Sequence, residues 1–253
     1  PEKVLATFPM QIEAYAHFKL PSKLSLHVTF GTRTPTVGNE SLTRVWAREH
    51  YLMWTQKPDE NEGLYVRAGR FMPVVGLPFA EHPIYTRRYG GTQLWADTYG
   101  VNVSYVTPKY EAHATGFIKD PAIDPVEHYS GGAGYAEYRL TEKFALGALG
   151  MAEIGPDDMR FRGGITAKAY LSAIDLLVQG EFQFVNQLID DTPTNPNGGA
   201  PQQFVGYLMF TRMLGTAFML DVGLGHFDTN RQVGENERDC IDLNLHWFTT
   251  SHL

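Results

Sequence analysis

Residues Arg238–Phe248, RDCIDLNLHWF, set Ile241, Leu243, Leu245 and Trp247 against Asp242, Asn244 and His246 at alternate positions. Strand side chains change face at every residue, so this spacing gives one apolar and one polar face. A strand of this kind sits between oil and water. The lone cysteine, Cys240, shares the parity of Asp242 and falls on the polar face; with no second cysteine it forms no internal disulfide.

The same alternation recurs through the chain. Gln11–Leu20 and Leu24–Phe30 form a hairpin about Pro21-Ser22-Lys23, with Ile12, Ala14, Ala16 and Phe18 apolar on the first arm and Leu24, Leu26, Val28 and Phe30 on the second. Val45–Trp54 is aromatic-rich but of poor parity, since Arg48 and His50 share a face with Trp46 and Trp54. Leu64–Gly69, Gly100–Tyr105, Tyr110–Ile118 and Gly134–Leu140 alternate cleanly, whereas Phe144–Ala152 is too rich in Gly and Ala for its faces to be assigned. Further strands are expected at Ile165–Tyr170, Val178–Phe184, Phe204–Thr211 and Phe218–Gly225. No stretch sustains a helical period.

The connections alternate in length. They are long at Thr34, Met72, Lys119, Leu188 and Asp228, and short at Pro21, Thr107, Thr141, Leu171 and Gly215; Gly155 and Lys57 are the exceptions. Membrane barrels have short turns at one end and long loops at the other, whereas the Greek-key crossings of a soluble sandwich mix lengths. No window approaches the roughly 18 uninterrupted apolar residues of a membrane-spanning helix, but barrel strands average out in composition because half their residues face a polar lumen. An excess of 28 acidic over 21 basic residues argues against nucleic acid as a partner. No basic-then-apolar leader opens the chain, so any export signal is expected either to have been removed or to lie outside these residues.

The closing stretch, with Trp247 and Phe248 near the C-terminus, resembles the last strand of bacterial outer-membrane β-barrels. That resemblance implies an all-β fold, an antiparallel transmembrane β-barrel, with residues 1–253 as a single domain in a bacterial outer membrane among membrane lipid. The count comes to about 13 strands where single-chain bacterial barrels are even. One further strand before Pro1 would give about 14; a miscount in Val45–Trp54 or Phe144–Ala152 is the alternative. The lumen lining is expected from the polar faces: Glu13, His17, Lys19, Arg67, Glu111, His113, Glu137, Arg139, Lys168, Glu181, Asp221, Asp242 and His246. This mixed set suits a wet channel and gives no clear ion preference.

Neither a cofactor nor a metal is expected. His17, His27, His50, His113 and His246 are on or near the polar face but spread over separate strands, and there is no Cys-x-x-Cys-His run. A catalytic role is not expected either, because no Gly-x-Ser-x-Gly elbow is present and sequence alone does not place Ser25 or Ser104 beside a histidine. The segment Met72–Thr92 breaks the ladder with Pro73, Pro78 and Pro83 and carries His82, Arg87 and Arg88 as a constriction or docking loop. With Arg67 and Arg70 before it, up to four guanidinium groups could gather at one end of the barrel. Its Phe71, Phe79, Ile84, Tyr85 and Tyr89 predict an ordered loop, packed into the lumen or against a partner.

Residues Ala68–Tyr89, AGRFMPVVGLPFAEHPIYTRRY, with Asp97-Thr98-Tyr99-Gly100-Val101 beyond, resemble a signature of outer-membrane barrel proteins, some of which accompany multihaem cytochromes in electron conduits. There the barrel is an insulating sheath and the cytochrome carries the electrons. Three readings follow: a porin-like pore or scaffold, a sheath around a multihaem cytochrome or other outer-membrane partner, and a soluble all-β binding protein.

Overall fold

The computed structural model describes residues 11–33, 46–79, 84–88, 97–118, 129–155, 158–189 and 199–248. Its strands are β1 (Gln11–Lys19), β2 (Leu24–Arg33), β3 (Trp46–Thr55), β4 (Gly63–Phe71), β5 (Thr98–Val106), β6 (Tyr110–Ile118), β7 (Ser130–Thr141), β8 (Phe144–Ile154), β9 (Asp158–Leu171), β10 (Leu176–Ile189), β11 (Gln202–Leu214), β12 (Phe218–Asp228) and β13 (Glu237–Trp247). They form one 13-stranded sheet in chain order, each strand antiparallel to the next. The turn between β1 and β2 places Ser22 and Lys23 at φ 61° and 65°, the left-handed pair that suits the twist of a tight hairpin. One helical turn, α1 (Tyr85–Arg88), interrupts the connection between β4 and β5, where sequence periodicity gives no helix.

Directly paired residues share a face of the sheet. One face can therefore be followed from Arg67 through Asn102, Thr115, Ala133, Met151 and Arg162 to Val185. The opposite face carries Val101, Val103, Leu146, Ile165, Leu224, Ile241 and Leu243, all exposed. On β13 the exposures reach 78% at Ile241 and 71% at Leu243, so the large apolar side chains lie outside. Near the short turns this outer face bears Tyr105, Tyr110, Tyr138, Phe218 and Trp247; towards the long loops it bears Phe30, Phe161 and Phe184. Aliphatic residues flanked by two aromatic girdles make the outer surface of a membrane barrel. A soluble sandwich would bury such a band.

The sheet is curved, and the β4–β5 connection measures it. The Val74 N–H donates to Thr115 Oγ1 on β6 and the Leu77 N–H to Glu181 Oε2 on β10. Three residues span at most about 11 Å, and side chains and hydrogen bonds add about as much again, whereas in a flat sheet Thr115 and Glu181 lie about 23 Å apart, four strand spacings and four residues of stagger; Gly76 at φ 69° keeps the segment well short of full extension. The sheet must curl around the connection, which marks the polar face as the inner one.

Several strands exceed their sequence-derived limits. β9 begins at Asp158, well before Ile165, because Gly163 and Gly164 interrupt a run whose outward members are Met159 and Phe161. β10 likewise extends to Ile189 and β12 to Asp228. Both doubtful segments are strands: β8 takes its faces from its neighbours, and β3 carries a bulge opposite Thr29 and Phe30. The bulge shifts parity, which is why the pattern there is poor. It also corrects His50, which pairs with Val28 and Arg70 on the outer face, not the polar one. With 13 strands, β1 and β13 run in the same direction, and no pairing joins them among the described residues. The Thr34–Thr43 loop lies outside those residues.

Candidate functional site

Beyond Phe71 the chain turns onto the inner face. Leu77, Phe79 and Ile84 bury themselves with Tyr135 of β7, Leu149 of β8 and Tyr207 of β11. Burial of such side chains stabilises by roughly 1.5–3 kcal/mol each, enough to offset the ordering of a short segment. Phe79 meets Tyr207 edge to face at 5.3 Å, and Tyr85 meets Phe227 at 6.5 Å. The opposing β12 is thinned to receive them. A Cβ on Gly223 would collide with the Tyr207 hydroxyl, and one on Gly225 would lie 3.3 Å from the Tyr85 ring. Glu181 holds the loop backbone: its Oε2 accepts from Leu77 N–H at 2.5 Å while its Oε1 accepts from Gln183 Nε2 at 2.6 Å. The described part of the loop, residues 72–79 and 84–86, is thus packed inward, one of the two outcomes its apolar content predicts.

The two stems of the loop meet at the β3 bulge. Arg70, at the end of β4, donates from one nitrogen to the carbonyls of Ala47 and Arg48 at 2.9 and 2.8 Å. Arg48 reaches Glu13 at 2.7 Å and Asp97, just before β5, at 3.4 Å. Gly69, at φ 144°, lies so close to His50 O and Tyr51 that no side chain fits there. Burial pushes the Asp97 carboxyl up to about 6, against the pull of Arg48. The segment AGRF…DTYG therefore encodes the clamp at the loop's base. Four guanidinium groups do not gather: Arg67 and Arg70 differ by an odd number of positions and face opposite ways, Arg70 being spent on backbone carbonyls. Arg87 and Arg88 form the second half of the α1 backbone; their side chains, and His82 entirely, lie outside the described residues.

The inner face of β1–β4 differs. His17, His27 and Tyr51 stack across three strands with ring centroids 4.2 and 4.8 Å apart, and the Arg67 guanidinium lies 4.1 Å from the Phe71 ring and 5.5 Å from that of Tyr51.

Elsewhere charges neutralise one another. Towards the short turns, Glu111 pairs with Arg139 at 3.0 Å and Glu137 with Lys168 at 2.7 Å, and Tyr135 donates to Glu137. Asp221 accepts from Thr211 and lies 2.8 Å from His246; Asp242 accepts from Tyr207. Towards the long loops, Glu153 pairs with Arg162, and Asp158 with Arg160 at 3.3 Å. All thirteen residues expected from the sequence to line a lumen fall on the inner face by register. Sequence reading missed Arg48, which the bulge conceals, and the Glu153–Arg162 pair, which exists only across a strand pair.

Both serines singled out in the sequence do stand beside a histidine, Ser25 Oγ at 3.1 Å from His27 Nε2 and Ser104 Oγ at 2.7 Å from His113 Nδ1. Ser104, however, donates its proton to Asn102 Oδ1 at 2.7 Å. The imidazole can then only donate to Ser104, the wrong polarity for a general base.

This architecture, a meandering antiparallel sheet curled around an inward loop and wrapped in an apolar band, defines a β-barrel of the outer-membrane kind. No protein-family model matches the sequence, and no curated protein matches it. Among solved structures, the chain is similar to Salmonella typhi OmpF in complex with daunomycin, with a TM-score of 0.66 at 10% identity, over 95% of this chain and 78% of that one. It is similar to in-vitro folded OmpT, an outer membrane protein of Vibrio cholerae, with a TM-score of 0.57 at 12% identity, over 93% and 72%. The trimer form of that protein gives 0.51 at 11% identity, over 94% and 91%. At such identities the likeness shows the fold: this chain has the fold of a bacterial outer-membrane β-barrel.

Proposed function

We propose that the chain is a porin-like pore, a water-filled passage through a bacterial outer membrane narrowed by its own β4–β5 loop. The carrying observation is the position of that loop, anchored on Glu181 and packed against Tyr207 inside the curled sheet. A segment spent on the lumen rather than on solvent restricts what passes, as size and polar lining do in channels. In this reading residues 1–253 belong to one barrel domain, the thirteen inner-face residues line the passage with lipid outside, and a single antiparallel strand between β13 and β1 would close the wall at 14 strands. A sheath around a cytochrome would need the volume that the loop takes up, and no contact described above favours one.

The test is purification in detergent followed by planar-bilayer recording in potassium chloride. A pore gives discrete conductance steps, and the folded barrel migrates differently when unheated on a gel. A folded, heat-modifiable protein that inserts and passes no current would refute the reading.

A further inference from the structure

We infer that the β1–β4 wall carries a binding rung for small organic carboxylates, centred on Arg67 and completed by Tyr51, His27, His17 and Lys19. The inference rests on the pore reading and names the solute class of that pore. Its first support is an imbalance. Arg67 is wedged against Phe71 and Tyr51, and its Nε is buried with no hydrogen-bond partner among the described residues. The rest of its guanidinium makes a long hydrogen bond, 3.4 Å, to Met72 O and interacts with the Tyr51 hydroxyl. No carboxylate lies within ion-pair distance of it or of Lys19 among those residues: Glu49, on the inner face of β3, reaches Arg67 only through its longer-range charge, Glu13 is taken by Arg48, and the acids of β12 and β13 are held by Thr211, His246 and Tyr207. In a chain of net charge -7, a local excess of unmatched cations is a place where an anion supplied from outside completes the electrostatics.

The second support is the orientation of the rings. His17, His27 and Tyr51 stack on one another's faces, at interplanar angles of 24° and 11°. The ring edges, the positive end of the aromatic quadrupole, are therefore left for the lumen. Edges, imidazole N–H groups and a guanidinium fork together favour a planar oxyanion, and the fork matches a carboxylate. The third support is access: His17 and Lys19 are exposed, and so is Tyr15 beside them at 87%, on a strand that pairs with β2 alone among the described residues, while Leu77, Phe79 and Ile84 pack on the other wall.

The experiment adds sodium benzoate, or neutral benzamide at equal concentration, to single channels carrying potassium chloride current. The expected result is block by benzoate and little by benzamide. Arg67→Gln should raise the half-blocking concentration about tenfold or more, Arg67→Lys should raise it less, and Glu60→Gln in the distant β3–β4 turn should leave it unchanged. Heat-modifiable migration confirms that each variant is folded; should Arg67→Gln fail it, Lys19→Gln with His17→Gln carries the test. Equal block by the two probes, or no change in the folded variants, would overturn the inference while leaving the pore intact. Absence of potassium chloride current would instead overturn both.

Discussion

Tyr207 on β11 and Tyr15 on β1 are tyrosines on the inner face of the same sheet, yet the first is 1% exposed and the second 87%. Part of the difference is in the strands, since among the described residues β11 is paired on both sides and β1 with β2 alone. Both obey the same alternation, but the β10–β12 wall faces Leu77, Phe79 and Ile84 of the inward loop, and the β1–β4 wall does not. Alternation settles which way a side chain points; what fills the space beyond is settled by a segment with no periodicity. One wall consequently reads as a surface packed by the loop, and the other as one whose β1 side chains stay exposed.

The contrast breaks most severely if the clamp between the two regions is removed. Arg48→Met leaves Asp97 buried beside Glu13 without its cation, and loss of one partner of a buried pair costs about 3–5 kcal/mol. Thermal or urea unfolding in detergent should register it; a loss below about 1 kcal/mol would mean that the pair is effectively solvated.

The inner and outer faces are tested next. Leu243→Arg puts a cation into the lipid-facing band, which costs roughly 2–4 kcal/mol near mid-membrane, whereas Asn244→Arg points into the lumen. Membrane insertion should fail or slow for the first and proceed for the second. Equal tolerance would undo the register of β13.

How far the sequence carries follows from these same residues. The parity of Ile241, Leu243 and Leu245, the strand count, and the alternation of short and long connections were legible because period-two patterning and turn residues are local. The thirteen inward positions follow from parity alone. Their partners do not: which carboxylate meets Lys168 or Arg162 depends on inter-strand register, which no single strand contains. The β3 bulge at Arg48 moved His50 to the outer face and concealed the clamp, because one inserted residue inverts parity without leaving a sequence mark. Phe79 and Ile84 announced a packed loop, but not the wall it packs on.

A smaller effect separates the walls more finely. Glu181→Leu deprives Leu77 N–H and Gln183 of their acceptor, a loss of about 1–3 kcal/mol, and amide exchange at Leu77 should accelerate while β1 and β2 are unaffected. His17→Ala should do the converse: it removes one stacked pair worth about 0.5–1.5 kcal/mol and leaves exchange at Leu77 unchanged. If His17→Ala also loosened the loop, the two walls would not be independent.

The central claim, that the β4–β5 loop narrows the passage from inside, is tested most directly by unit conductance. Replacing residues 74–86 with a short glycine linker should raise the conductance of the folded barrel several-fold, whereas the same shortening of residues 230–235, between β12 and β13, should leave it unchanged. Equal conductance in the wild type and the 74–86 variant would contradict the account.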